Sequence, residues 1–407
     1  MDIKRLEEYA RLIVKMGIRP QVGQQVIIVA GLDQIEFVRL VAELCYKEGA
    51  SRVRVEWQDM PLNKLDQLYQ TEEMLSRVED WELAKLQYRC DTLPAYLWLD
   101  SDDPDGMDGI DQGKRARSQM ARFPRIKPYR DAMENKFQWC IAGVPGVKWA
   151  QKVFPGETAE AAVEKLWEAI LTAARANGNA IENWQKHNCR IHELTGKLNS
   201  LHLAALEYKS ANGTDFRVGL MPDGIFAGAE ESDLSGRKFN PNIPSEEIFT
   251  TPLKGQAEGV LVATKPLSWQ GSLIEDFSIR FENGKAVEVK AAKGQEALER
   301  MIAMDENAPY LGECALIDYD SPINRMNMLF YSTLYDENAS CHMALGRGFD
   351  VCVKDYEKYS HEELKAKGVN DSMIHVDFMI GSADLAITGI TDSGEKIKIF
   401  ENGRWAI

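Results

Sequence analysis

His375 and Asp377 stand two positions apart inside residues 372–382, a segment that is otherwise apolar. The aliphatic and aromatic residues around them are typical of a buried strand. Because successive side chains of a strand point to opposite faces, the imidazole and the carboxylate are expected to project the same way. A buried carboxylate is costly unless it is paired or coordinates a cation. A divalent metal ion is therefore one candidate partner for this pair.

Three further acids and one further histidine stand in similar surroundings: Glu247, Glu313, Glu337 and His342. Glu313 interrupts residues 310–317, which predict a buried strand. Glu337 and His342 are five positions apart, so they do not match the helical His-Glu-x-x-His zinc motif. A turn would still bring both side chains to one ion, although helix capping by the polar residues before His342 is an equally good interpretation. So many acids and histidines in apolar segments indicate a shared site.

The other histidines are His187, His192, His202 and His361. His187 and His192 lie in a polar helical segment, which predicts exposed helix positions. His202 is expected to begin a strand and His361 to start a helix, and neither has a clustered carboxylate partner in the sequence.

Seven cysteines stand far apart, without a Cys-x-x-Cys pair. This pattern indicates reduced thiols in the cytoplasm and no thiolate metal site. Cys341 precedes His342, but neighbours in a chain rarely face each other. A cysteine nucleophile with a histidine base is therefore not expected.

The composition is that of an ordinary globular protein, with 44% hydrophobic and 27% charged residues. A length of 407 residues predicts two domains. The formal net charge of -15 argues against general nucleic-acid binding, because phosphate backbones require a basic surface. The charged first residues argue against a signal peptide, and no apolar run approaches the ~18 residues of a membrane span.

The first half of the chain alternates two kinds of pattern. Apolar runs predict strands at residues 25–30, 52–57, 95–100 and 137–143, and helical periodicity predicts helices at 34–48, 62–76, 158–176 and 180–197. This alternation predicts an α/β domain over residues 1–197 with an open, mostly parallel sheet. The glycines after its strands lack the spacing of phosphate-binding loops. The domain is therefore expected to act as scaffold, lid or dimer contact, and not to bind a nucleotide.

Short strands joined by turn dipeptides follow residue 197. Asn-Gly pairs separate alternating segments at Asn212-Gly213, Asn283-Gly284 and Asn402-Gly403. Such pairs are the strongest local hairpin signal, because both residues tolerate positive φ. With one helix at residues 295–304, they predict an α+β, largely antiparallel domain over residues 198–407. That domain contains every candidate metal ligand.

Longer motifs resemble those of one known family. They lie at residues 242–252, 264–267, 311–316, 336–346 and 375–382, and shorter similarities lie at 23–26 and 149–155. On these ordered motifs, which extend over essentially the whole chain, the sequence resembles the thermophilic aminopeptidase T family, the M29 metallopeptidases.

The resemblance implies a cytoplasmic homodimeric aminopeptidase that removes N-terminal residues from short peptides with a water activated by two divalent ions. The ligands that it implies are Glu247, Glu313, Glu337, His342, His375 and Asp377, with Glu313 between the ions. Oxygen and imidazole donors without thiolate suit Zn²⁺, Co²⁺ or Mn²⁺. Two alternatives stay open: a related metallohydrolase that acts on dipeptides or another amide, and a non-catalytic homologue that binds metal or peptide.

Several neighbouring residues have open roles. Glu246 is the candidate general base or anchor for the substrate ammonium, but strand alternation would turn it away from Glu247 and make it a surface acid. Lys265 either orients a carboxylate or is structural. The resemblance implies a tyrosine where this chain has Phe349, so a hydroxyl donor to the reacting group is expected to be missing unless Tyr356 replaces it.

Overall fold

The structure, a computed structural model, describes residues 2–407. The chain forms two compact units. One comprises residues 2–187 and Glu230–Pro244, and the other comprises Asn188–Ala229 and Ser245–Ile407. Across the described residues, no helix combines the length and the apolar character that a membrane span requires.

The helices are α1 (Ile3–Leu12), α2 (Ile35–Lys47), α3 (Met60–Tyr69), α4 (Glu72–Ser76), α5 (Asp80–Thr92), α6 (Gln112–Met133), α7 (Val147–Val153), α8 (Ala159–Ala173), α9 (Ala180–Ser200), α10 (Gln295–Ile302), α11 (Pro322–Arg325), α12 (Thr333–Asp336) and α13 (His361–Lys367). A π-helical turn spans Ile13–Ile18, and 3₁₀ turns span Leu32–Gln34, Glu337–Ala339, Asp350–Cys352 and Tyr356–Lys358.

The strands are β1 (Gln25–Gly31), β2 (Arg52–Gln58), β3 (Ala95–Asp100), β4 (Trp139–Gly143), β5 (Leu203–Lys209), β6 (Asp215–Leu220), β7 (Ala227–Gly228), β8 (Glu231–Ser232), β9 (Lys238–Phe239), β10 (Asn242–Ile243), β11 (Ile248–Thr250), β12 (Pro252–Val262), β13 (Leu267–Trp269), β14 (Ser272–Glu282), β15 (Lys285–Lys293), β16 (Leu311–Leu316), β17 (His342–Gly346), β18 (His375–Met379), β19 (Ala386–Thr391), β20 (Lys396–Glu401) and β21 (Arg404–Trp405).

The first unit contains the parallel sheet that the sequence predicts. Its strand order is β10-β4-β3-β1-β2, and all four pairings are parallel. Strand β1 lies between two partners, and its apolar residues 26–30 are buried, as is usual for a strand covered on both faces. The predicted helix at residues 62–76 is instead two helices. Thr71 interrupts it, because its side chain accepts a hydrogen bond from the Met74 N–H and caps α4.

The second unit contains two antiparallel sheets, as the turn signals predict. One has the order β18-β17-β16-β11-β7, and the larger one continues from β13 and β14 through β12, β6 and β5 to β19, β20 and β21. The predicted hairpin at Asn283-Gly284 is confirmed, with φ of 50° and 80°. The two sheets meet in an apolar core, where the rings of Phe277 on β14 and Phe378 on β18 lie 6.0 Å apart.

Candidate metal centre

Strand pairing in the smaller sheet brings four of the predicted ligands into a narrow area. Glu313 of β16 is opposite Ala344 of β17, which is opposite Asp377 of β18. Directly paired residues of an antiparallel sheet share a face, and so do residues two apart on one strand. His342 lies two positions from Ala344, and His375 lies two positions from Asp377. All four polar side chains therefore project from one face, and the small Ala344 leaves room between them.

The other face of these strands packs the candidate ligands' strands into the apolar core. Cys314, Met343, Leu345, Val376 and Phe378 alternate with the polar residues and lie in the apolar core of the unit. The same period of two thus packs one face into the core and presents carboxylates and imidazoles on the other. The expectation that His375 and Asp377 project together is confirmed.

A register shift at Gly312 accompanies the placement of Glu313. Leu311 is opposite Leu345 and Glu313 is opposite Ala344, so β16 has one extra residue in this interval. A Cβ at Gly312 would lie 2.1 Å from the carbonyl oxygen of Arg347. Only glycine permits this close approach of two backbones beside the site.

The side chains form two groups that share Glu313, namely Glu247, Glu313 and His342, and Glu313, His375 and Asp377. In each group the candidate ligand atoms lie within 4.8 Å of one another. His375 Nε2 is 3.1 Å from Glu313 Oε2 and 3.2 Å from Asp377 Oδ1. His342 Nε2 is 3.4 Å from Glu247 Oε2. The Glu247 side chain is 11% exposed, and those of Glu313 and His342 are 4% and 1% exposed.

Backbone carbonyls orient both imidazoles. His375 Nδ1 lies 2.7 Å from the carbonyl oxygen of Arg347, and His342 Nδ1 lies 2.8 Å from that of Glu337. Each Nδ1 donates its proton to the carbonyl oxygen, so each Nε2 is available to an electrophile in the neutral imidazole. His342 Nε2 and Asp377 Oδ1 are buried, and they lie 3.2 to 3.9 Å from atoms of other candidate ligands. Both atoms point into the site, which is what a ligand for a cation requires.

The electrostatics of the site also favour cations. Burial raises the pKa of Glu313 to about 7, with the charge of Glu247 acting in the same direction. Burial by itself would lower the pKa of His342, but the hydrogen bond to Glu247 and the charge of Glu313 raise it to about 9. Burial would raise the pKa of Asp377, but the charge of His375 and its hydrogen bond lower it to about 2. Carboxylates outnumber imidazoles here, so the site binds protons strongly when nothing else supplies positive charge.

Glu337 belongs to neither three-residue group. It lies on the 3₁₀ turn before β17, and Asn338 Nδ2 is 3.4 Å from its Oε1. Removal from water and the charges of Asp377 and Glu247 raise its pKa well above the usual range. Its carboxylate is therefore part of the same electrostatic cluster. The structure thus groups five of the six predicted ligands directly.

The donor set fits divalent cations of the zinc, cobalt and manganese type, because it consists of carboxylate oxygens and imidazole nitrogens. Cys341 does not contribute to this set. Its thiol lies 3.3 Å from the carbonyl oxygen of Ile317, and burial raises its pKa to about 12. The geometry thus gives no support to a cysteine nucleophile paired with His342.

The structure also locates the four residues whose roles the sequence leaves undecided, namely Glu246, Lys265, Phe349 and Tyr356. The backbone N–H of Glu246 donates to Asn338 Oδ1 at 2.6 Å, and the side chain is in neither ligand group. Burial lowers the pKa of Lys265, and the charge of the buried Asp336 offsets part of this effect. Tyr356 packs against the cluster of Met221, Val353, Leu364 and Val369, whereas Phe349 packs with Phe249 in another cluster.

Two expectations about histidines are wrong. His187 is not exposed but only 8% accessible, and its ring lies 5.3 Å from that of Trp184. His361 begins α13 as predicted, but it does have carboxylate partners, Asp350 and Asp371. These partners are on separate segments of the chain, so no local motif indicates them.

Comparisons with known proteins agree with this chemistry. The family described as Thermophilic metalloprotease (M29) matches residues 2–405. The chain is 41% identical to Aminopeptidase AmpS of Bacillus subtilis, over 99% of this chain and 98% of that protein. It is 37% identical to Aminopeptidase T of Thermus thermophilus, over 99% of each. The solved structure of wild-type AmpT from Thermus thermophilus matches with a TM-score of 0.89 at 36% identity, and the match covers 100% of both chains.

Proposed function

The chain belongs to the thermophilic metalloprotease family M29, and from this membership and the site geometry we propose that it is a metal-dependent aminopeptidase. The observation that carries the proposal is the position of Glu313, whose carboxylate belongs to both groups of candidate ligands. A carboxylate shared by two histidine-containing groups is suited to a site for two adjacent divalent ions.

In the proposed centre, Glu247, Glu313 and His342 would hold one ion, and Glu313, His375 and Asp377 would hold the other. Glu337 is the sixth ligand. Four carboxylates match the charge of two dications, and the imidazoles add affinity without charge. Zn²⁺, Co²⁺ and Mn²⁺ are the candidate metals. When bound, such a pair supplies a water of lowered pKa and polarises the scissile carbonyl group.

The chain's own residues would orient the substrate. A cleft beside Glu337 and Asp377 is lined by Leu267, Ser268, Thr333 and Met379, among others. Its volume of about 10 Å³ admits about one water molecule. Glu246 is the candidate general base or anchor for the N-terminal ammonium group of a short peptide.

The finer features of the proposal concern organisation. We propose a cytoplasmic homodimer in which residues 1–197 form a scaffold, lid and dimer-contact domain and residues 198–407 form the catalytic domain. The distribution of candidate ligands supports the second assignment, because all six lie after residue 198.

The test is a substrate panel with wild type and Glu313→Gln. The wild type should hydrolyse aminoacyl fluorophores and short peptides, but not their N-acetylated forms. Glu313→Gln should lose this activity while it remains folded, because one substitution removes a ligand from both groups. Glu296→Gln is the matched control, since that carboxylate is 90% exposed. Full turnover in Glu313→Gln would refute the assignment.

A second candidate is a homologue that binds metal or peptide without turnover, and Phe349 favours it. Phe349 lies against His375, with ring centroids 4.8 Å apart, and it has no hydroxyl to donate to a reacting carbonyl group. Metal analysis with the same panel distinguishes the two functions. Bound ions without hydrolysis of any substrate would favour the binding protein.

A further inference from the structure

Residues 347–352, which follow β17, orient His375 from two sides. The Arg347 carbonyl oxygen lies 2.7 Å from His375 Nδ1. The Phe349 ring packs on the imidazole, with centroids 4.8 Å apart. A shift of this segment would therefore turn the Nε2 that faces Glu313 and Asp377.

Two kinds of contact hold this segment. The first is uncharged: the N–H of Phe349 donates to Thr251 Oγ1 at 2.7 Å, and the N–H of Gly348 donates to the Asn370 carbonyl oxygen at 2.8 Å. The second is an ionic contact directly after Phe349, where Asp350 Oδ2 lies 3.4 Å from His361 Nδ1. Asp350 thus connects the first turn of α13 to the segment that contacts His375.

His361 has a carboxylate on each ring nitrogen. Its Nε2 lies 3.2 Å from Asp371 Oδ1, and the three side chains are 20%, 10% and 11% exposed for His361, Asp350 and Asp371. A neutral imidazole has one N–H, so one carboxylate would face a lone pair. The doubly protonated imidazolium presents an N–H to each carboxylate. The two ion pairs therefore favour a charged His361.

We propose that His361 is a positioning residue: as an imidazolium between Asp350 and Asp371, it holds residues 347–352 against His375 and thereby raises the metal affinity of the centre. The inference rests on the proposed function, because it requires His375 to be a metal ligand. The inference also predicts that the contribution of His361 to metal affinity depends on pH.

The pH range follows from the groups around His361. Hydrogen bonds to Asp350 and Asp371 raise its pKa from 6.5 to about 9. A raised histidine pKa gives a contribution that is complete below pH 6.5 and is lost as pH rises through about 9. Lys365, which is 3.4 Å from Asp371, also pairs with Glu362, and that hydrogen bond raises its pKa. Lys365 therefore stays charged while His361 loses its proton.

The experiment measures Zn²⁺ affinity with chelator-buffered Zn²⁺ for four proteins: wild type, His361→Gln, His361→Arg and Lys367→Gln. Glutamine leaves both carboxylates without a cation, whereas arginine supplies a charge that does not titrate. Lys367→Gln is the control, since it removes an ion pair with Asp223 from the other end of α13.

At about pH 7, His361→Gln should bind Zn²⁺ about 3- to 10-fold more weakly than wild type. This loss does not exceed the loss of affinity expected when a direct hydrogen-bond partner of a metal ligand is removed. This ratio should approach one at about pH 10, where wild-type His361 is neutral. His361→Arg should match wild type at about pH 7 and exceed it at about pH 10. Lys367→Gln should match wild type at both values.

Equal affinity of His361→Gln and wild type at neutral pH would overturn the proposal, and so would a ratio that does not change with pH. If His361→Gln does not fold, Asp350→Asn decides the question, because it keeps the shape and removes the same connection. A wild type that binds no Zn²⁺ and cleaves no peptide would instead refute the proposed function.

Discussion

Two clusters of histidine and carboxylate lie in the second unit, and their charges balance differently. Around His361, the cations His361 and Lys365 face the anions Asp350 and Asp371. Around Glu313, two imidazoles face Glu247, Glu313, Glu337 and Asp377. Even with both imidazoles protonated, four negative and two positive charges leave an excess of two negative charges. The charges of the first cluster balance within the chain, whereas the second cluster takes up positive charge from solution, as protons or as metal ions.

The largest effect expected from this difference is that of metal removal. Dialysis against a chelator should abolish peptidase activity, and Zn²⁺, Co²⁺ or Mn²⁺ should restore it. Bound metal should also stabilise the fold by about 4 kcal/mol at a thousandfold excess over Kd. Activity assays and thermal unfolding with and without chelator measure both. Unchanged activity after verified metal removal would show that the Glu313 cluster, like the His361 cluster, does not need bound metal.

A substitution within the centre should have the next largest effect. His342→Gln removes the imidazole of a candidate ligand whose side chain is 1% exposed. We expect metal affinity to fall more than about 100-fold, beyond the loss for a residue that only supports a ligand. Isothermal titration of the metal-free protein measures this. His192→Gln is the control, because His192 is an exposed histidine of α9. Equal affinities of the two variants would contradict a ligand role for His342.

The stability of the metal-free protein should depend on pH in a specific direction. The pKa of Glu313 is raised from 4.5 to about 7, and that of His342 from 6.5 to about 9. Each group therefore keeps its proton to a higher pH in the folded state than in the unfolded state. Stability should therefore fall by at least about 1 kcal/mol from pH ~4.5 to pH ~9. Asp377, lowered from 3.8 to about 2, acts oppositely: its contribution is present above pH 3.8 and is lost as pH falls through about 2.

Urea denaturation at a series of pH values tests this prediction. Bound metal replaces the protons, so the metal-loaded protein should lose less stability over the same range. His361→Arg should remove only the part of the fall that His361 contributes. Parallel curves for metal-free and metal-loaded protein would contradict the distinction between the two clusters.

The smallest effect is expected at residues 347–352, the segment that connects His375 to the His361 cluster. Phe349→Leu keeps an apolar side chain but removes the ring that packs on His375. Loss of one aromatic contact of about 0.5 to 1.5 kcal/mol should weaken Zn²⁺ binding about 2- to 10-fold. Competition with a zinc indicator measures this, and Phe281→Leu, in the core beside Phe216, is the control. A larger loss in the control would show that global destabilisation explains the effect.

Much of the fold was predictable because its signals are local. The central strand β1 is a continuous apolar run, and Asn283-Gly284 makes a turn in which both residues have positive φ. Helix α6 was not predicted, since Pro124 and Pro128 lie inside it and proline disfavours helix interiors. The position of β10 beside β4 was also not predictable, because two residues contain no periodic signal.

For the candidate site, sequence by itself determined which residues are candidates for the chemistry and, on each strand, which face they share. Alternation of period two placed His375 with Asp377, since this property belongs to one strand alone. Only the tertiary structure decided that Glu313, Ala344 and Asp377 align across three strands and that His361 lies between Asp350 and Asp371. The physical reason is that register between strands and the course of loops depend on contacts between distant segments, which no local pattern specifies.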